Sequence, residues 1–209
     1  MQQMHYRSNQ KSRIMRRFPS IMIKLALVAI LLVSTTASLG MGQSDSSDFA
    51  TEVRTLTQEA IHQLTIAIRL SLIAPQTPSL NDMKFNAGRI LNTLVGEESE
   101  HFDRGYGLPL NADTGGVIPR LARIRTLLAP HAENDARVRN WLNALENIQF
   151  FSEVAREEML FVLEQTNDRP ARISLRKTIA FLTATRGNSD DPLSEGGARA
   201  LERDIGRDE

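Results

Sequence analysis

The chain has 209 residues, which is enough for one domain with tails, and its 25 basic and 25 acidic residues give a formal net charge of zero. It contains no cysteine, which excludes disulfides, thiol catalysis, thiolate metal sites and covalently attached haem. Six of the basic residues lie in residues 1–42, which contain no acid, so residues 43–209 carry a net charge of about −6. That balance argues against nucleic-acid binding, which needs a clustered basic surface.

Residues 1–42 have the order of an export signal: a basic start, a short apolar run and a zone of small residues. The uninterrupted apolar run is LALVAILLV, and Thr35–Ala37 in the small-residue zone is a plausible cleavage site. The alternative is an uncleaved transmembrane anchor over about residues 18–42, which is long enough to span a bilayer. In both cases the basic start stays inside, so we predict a secreted or membrane-anchored protein that contacts the membrane only through residues 18–42, if these are retained.

The first two predicted helices follow a polar linker at residues 43–48, of which Ser47 or Asp48 is expected to cap helix A. Apolar residues at spacings of three and four extend helix A to about Ile73, before a short Pro-containing link. The pair Ser79 and Asp82 has the spacing of a capping box at the start of helix B. Helix B is expected to end at Gly96, where a left-handed cap favours glycine.

The later helices are predicted from the same signals. Helix C starts near Gly116 and ends at Pro130, helix D runs from a cap at Asn134 or Asp135 to about Thr166, and helix E ends at Gly187. Residues 187–209 are predicted to be a disordered tail, apart from one loose turn at 198–205. Since no segment alternates with period two, residues 49–186 are predicted to form an all-α bundle of four to five helices, without internal repeats.

The segment 96–116, GEESEHFDRGYGLPLNADTGG, has no regular period and separates helices B and C. Phe102, Tyr106, Leu108 and Leu110 predict an ordered loop that folds over one end of the bundle, and long loops of this kind are often functional. Oxygen-bearing side chains at both ends of the loop favour a divalent-cation site of the calcium type. The candidate ligands are Glu97, Glu98, Glu100, Asp103, Asn111 and Asp113.

Helix D carries more apolar surface than one stripe requires. Phe150, Val154 and Phe161 lie nearly opposite its main apolar face. Either helix D is central and covered on two sides by its own chain, or this second face binds a protein partner or a second copy.

Enzyme signatures are absent from the sequence. Two Glu-x-x-His units, at 59–62 and 98–101, have the spacing used by di-iron bundles. His62, however, falls opposite the apolar stripe of helix A, and 98–101 follow the end of helix B, so we predict that neither unit faces the core. No nucleophile elbow or phosphate-binding loop is present, and no cofactor is predicted apart from the divalent cation. An enzyme with a carboxylate-based active site is retained as an alternative, because acidic residues are numerous.

The segment NTLVGEESEHFDRGYG…NADTGG resembles the helix end and glycine-rich loop of exported bacterial all-helical proteins without an assigned function. The resemblance rests on Asn92, Gly96, Glu97, Asp103, Asp113 and Gly115. It covers about thirty residues and the helix order. Helix B lacks the histidines expected in those proteins, with Asn86 and Arg89 in their places. The resemblance implies location and fold only, so the sequence predicts a binding or structural module of the cell envelope, or alternatively a metal or small-ligand binder using loop 96–116.

Overall fold

The structure is a computed structural model that describes residues 44–188 and 196–207, with side chains from residue 49 onward. The predicted signal or anchor, including its cleavage zone, lies outside these residues. In the two described ranges the chain forms α-helices, short 3₁₀ turns and loops without a strand, which confirms the all-α helical-bundle prediction. None of the helices described there is long and apolar enough to cross a membrane.

Six α-helices are described. They are α1 (Ser44–Ile73), α2 (Leu80–Val95), α3 (Val117–Leu128), α4 (Ala136–Glu164), α5 (Asp168–Arg186) and α6 (Gly197–Gly206). Short 3₁₀ turns at Ala74–Gln76 and Ala129–His131 follow α1 and α3.

The helix boundaries follow from local capping. Ser79 caps α2 by accepting a hydrogen bond from the backbone N–H of Asp82, and its hydroxyl donates to the Asp82 carboxylate, which takes the place of the backbone half of the predicted capping box. Asp135 caps α4 by accepting from the backbone N–H of Arg137. The hydrogen bonds that Arg137 donates, first from its guanidinium and then from its backbone, lower the pKa of this carboxyl.

Two predictions about the ends of the bundle are wrong. The linker prediction fails because α1 already begins at Ser44, which places Ser47 and Asp48 inside the helix rather than at its cap. The tail prediction fails because residues 197–206 form α6, whose apolar residues Ala198, Leu201 and Ile205 are buried against α1 and α4. Residues 189–195 and 208–209 of the predicted tail lie outside the described residues.

The six described helices form two three-helix units in the same order, α1–α3 and α4–α6, although the sequence shows no repeat. Each unit has a long helix, a shorter helix after a short link, and a third helix after a glycine junction. Exchanging α1 with α4, α2 with α5 and α3 with α6 maps the set of packed helix pairs onto itself. The two units therefore share one pattern of helix packing.

The two long helices, α1 and α4, are central, and each packs against the two shorter helices of both units. This arrangement confirms that helix D is covered on several sides by its own chain. Ion pairs Arg120–Glu59 and Arg123–Glu52 show that α3 runs antiparallel to the first half of α1. The apolar stripe of α1 is buried as predicted, and its members Val53, Ala60, Leu64 and Ala67 have no exposed surface.

Candidate functional site

The loop at 96–116 leaves and rejoins the bundle at one point. Gly96 ends α2 and Gly116 precedes α3, both with positive φ, and a Cβ on Gly116 would lie 2.5 Å from the backbone nitrogen of Gly96. The backbone N–H of Glu97 donates to the carbonyl of Thr114 at 2.8 Å, which closes the loop. Glycine is required at both positions because a side chain on either one would clash with backbone atoms on the other side of the junction.

A buried amide on α2 holds the first half of the loop. Asn92 has no exposed surface, and its Nδ2 donates at 2.8 Å to the carbonyls of both Asp103 and Gly107. Its Oδ1 accepts from the backbone N–H of Asp103 at 3.0 Å. One side chain therefore satisfies three backbone groups of a segment that has no regular secondary structure of its own.

The aromatic ring of Tyr106 lies directly on α2. A Cβ added to Gly88 would come within 2.2 Å of this ring, so the absence of a side chain at Gly88 creates the space that the ring occupies. Phe85 meets Tyr106 edge to face, with centroids 6.4 Å apart. These contacts place the loop along the side of α2, and the prediction that it covers an end of the bundle is wrong. The prediction that Leu110 is one of four apolar anchors of the loop is also wrong, because this side chain is 83% exposed.

The second half of the loop is held by charge and by a buried amide on α1. Gln63, which is 1% exposed, donates from Nε2 to the Asp113 carboxylate at 2.8 Å. Arg120 donates to the same carboxylate at 2.9 Å, to Glu59 and to the carbonyl of Gly116. Asp113 therefore connects α1, the loop and the first turn of α3.

The predicted ion ligands do not converge in this structure. Asp103 and Asp113 each accept from the backbone N–H two residues later, Glu97, Glu98 and Glu100 are exposed, and Asn111 has a left-handed backbone with φ of 66°. Nowhere in 44–188 or 196–207 are three or more His, Asp or Glu side chains grouped as a metal ion would require. The divalent-cation site stays a prediction.

The Glu-x-x-His units lie at the surface, as predicted. Glu59 and His62 are exposed, and the Nε2 of His62 lies 3.4 Å from the carbonyl oxygen of Asn111. His101 is half-buried, and its Nε2 lies 3.9 Å from the carboxylate of Glu100.

His101 forms part of a cleft of about 730 Å³ between the loop, α4 and α5. We call this the His101 cleft. The stripe Val154, Glu157, Phe161 and Glu164 of α4 lines it at helical spacing, since these residues follow one another by three or four positions. The other lining residues are Glu158 and Leu160 of α4 and Ser174 and Lys177 of α5.

Charges in the His101 cleft are partly paired. Lys177 lies 3.3 Å from Glu158, whose side chain is only 18% exposed. Arg156, next to the cleft, pairs with both Glu153 and Glu157. The hydrogen bond with Glu157 raises the pKa of the Arg156 guanidinium. Glu164 makes no ion pair with any residue that the structure describes.

The residues of the predicted partner face line two different hollows. Val154 and Phe161 line the His101 cleft, whereas Phe150, which is 61% exposed, lines a separate hollow of about 390 Å³ beside Ile118 of α3. The predicted partner face stays a prediction. Ser174, Lys177, Glu157 and Glu164 were not predicted to be site residues, although the helical spacing of the α4 stripe is visible in the sequence.

A search of protein-family models, of curated proteins and of solved structures found no match to this chain. The functional assignment therefore depends on the residues themselves.

Proposed function

We propose that the protein is an exported or membrane-anchored binding module of the cell envelope, and that the His101 cleft is its binding site. The observation that carries this proposal is the cleft itself, which combines a residue of the predicted functional loop with two residues of the predicted partner face. The order of basic, apolar and small residues in 1–42 supports the location.

The cleft has the properties of a small-ligand site. Its volume of about 730 Å³ falls in the usual range for such sites, which is about 300–1,000 Å³. Val154, Leu160 and Phe161 supply apolar surface, while Glu164, Ser174 and Lys177 supply a few polar groups. This combination of an apolar wall with a small number of polar groups is typical of sites that bind and orient one molecule.

Location can be tested with introduced cysteines, because the chain has none of its own. Glu133→Cys places a thiol in the exposed turn before α4, and Ser8→Cys places one in the basic amino-terminal segment. Each full-length variant is expressed in a Gram-negative host and treated with a membrane-impermeant maleimide after the outer membrane is permeabilised. We expect the thiol at position 133 to be labelled in these cells, whose inner membrane is still intact.

The thiol at position 8 distinguishes the two forms of export. After cleavage near Thr35–Ala37 it is lost with the signal, and the mass of the purified protein falls accordingly. In an anchored protein it is retained and becomes reactive only after lysis, because the basic side of the segment stays inside. Labelling at position 133 only after lysis would show a cytoplasmic protein and would refute the proposed location.

A further inference from the structure

We propose that the His101 cleft binds an organic ammonium ion with a short apolar body. This inference rests on the proposed function, since it names the class of ligand for the site proposed there. It is carried by the charge of the cleft, by its apolar wall and by the hydroxyl group of Ser174, which lines the cleft and makes no hydrogen bond with the described residues.

The charge around the cleft favours a cation. The cleft lining contains three carboxylates, Glu157, Glu158 and Glu164, and the basic side chains Lys177 and His101. Glu157 pairs with Arg156, which is outside the lining, and Glu158 pairs with Lys177, whereas the exposed carboxylate of Glu164 makes no ion pair with a described residue. A bound ammonium group would supply a compensating charge for Glu164.

The wall beside these carboxylates is apolar and aromatic. Phe161 lies one turn from both Glu157 and Glu164 on the same side of α4 and is 45% exposed, and Val154 and Leu160 extend the apolar surface. An aromatic ring next to carboxylates suits an organic cation, because the ring face attracts positive charge and the ring also buries hydrocarbon. A bare metal ion would gain nothing from this wall.

Ser174 supplies the independent observation. It is 2% exposed and lines the cleft, yet its hydroxyl makes no hydrogen bond with the described residues. By contrast, Thr178, Thr183 and Thr185 on the same helix each donate to the carbonyl four residues earlier. The Ser174 oxygen faces the cleft, where a bound N–H donor would give it a hydrogen-bond partner that the described residues do not supply.

The test uses the purified full-length or naturally processed chain and three probes with the same ring: phenethylammonium, 2-phenylethanol and 3-phenylpropionate. Titration calorimetry measures the dissociation constant of each. We expect phenethylammonium to bind more tightly than the neutral alcohol, and the anion to bind weakest. Glu164→Gln should weaken phenethylammonium binding by up to about fivefold, the value of an exposed charge pair of about 1 kcal/mol. Ser174→Ala should weaken it by a similar factor, the value of one hydrogen bond.

Glu133→Gln is the matched control, because it removes one exposed carboxylate far from the cleft in sequence and is expected to leave the dissociation constant unchanged. Equal binding of the alcohol and the ammonium would overturn the cationic ligand class but would leave the cleft as a binding site. Absence of phenethylammonium binding, or binding that Glu164→Gln and Ser174→Ala leave unchanged, would also overturn the inference. The proposed location is tested separately by the thiol at position 133.

Discussion

The two three-helix units use the same helix order but connect their second and third helices differently. In both, a glycine with positive φ follows the second helix and another lies at the start of the third: Gly96 and Gly116 in one unit, Gly187 and Gly197 in the other. Their backbones touch in the same way, since a Cβ on Gly197 would lie 2.2 Å from the nitrogen of Gly187. The junction is thus common to the two units, and the connection between its glycines is what differs.

The helix before each junction shows the difference. Asn92 lies four residues before Gly96 and bonds to the loop, whereas Thr183, four residues before Gly187, bonds to its own helix at Ile179. Eight residues before the glycine, Gly88 accommodates the ring of Tyr106, and Ile179 takes the corresponding place in α5. Beside the second junction the described residues leave an apolar cleft of about 660 Å³, lined in part by Phe151 and Thr183. A few positions on α2 therefore hold loop 96–116 against a junction that both units share.

The largest expected effect tests whether α3 and α6 are equivalent parts of the core. Leu121 and Leu201 are 0% and 2% exposed, so Leu121→Ala and Leu201→Ala should each lower the free energy of unfolding by about 2–5 kcal/mol. Chemical denaturation measures both. Leu110→Ala, at a leucine that is 83% exposed, is the matched control and should change stability little. A negligible effect of Leu201→Ala would show that α6 does not belong to the bundle in solution.

The next largest effect is a difference in stability between matched substitutions in the two units. Asn92→Ala removes the partner of three loop backbone groups and should cost about 2–3 kcal/mol, because buried groups without partners are expensive. Thr183→Ala, at the corresponding place in α5, removes a hydrogen bond within one helix and should cost less than about 1 kcal/mol. Amide hydrogen exchange should speed up at Asp103 in the first variant only. Equal costs for the two variants would contradict the difference between the units.

Local capping explains how much of the fold the sequence could predict. The ends of α2, α4 and α5 follow from Ser79, Asp135 and Gly187, whose effects act within one turn of a helix. Helix α6 could not be predicted in this way, because it buries only three apolar residues, Ala198, Leu201 and Ile205. Such a short stripe is stabilised by packing on α1 and α4, which a local pattern does not contain.

The candidate site was harder to predict because it is assembled over long sequence distances. His101, Phe161 and Ser174 come from a loop and two helices, and only tertiary packing brings them to one cleft. The acidic residues of loop 96–116 were easy to identify, yet Asp113 interacts with Gln63, fifty residues earlier, and with Arg120. From the sequence alone, an acidic residue such as Asp113 could be either an ion ligand or a structural contact. Only its neighbours in the folded structure show which of the two it is.

The smallest expected effect comes from changing the contact between Gly88 and the Tyr106 ring, which has no counterpart at Ile179 of α5. Gly88→Ala places a methyl group where the Tyr106 ring lies, so the ring must move, at a cost of about 1–2 kcal/mol. In a Tyr106→Ala background the same substitution should be neutral or stabilise the helix by up to about 1 kcal/mol, because alanine favours helix over glycine. The double-mutant cycle thus predicts that the sign of the effect depends on the ring. If Gly88→Ala destabilised both backgrounds equally, Gly88 would not be needed to accommodate the Tyr106 ring. The contrast between Gly88 in α2 and Ile179 in α5 would then not explain the difference between the units.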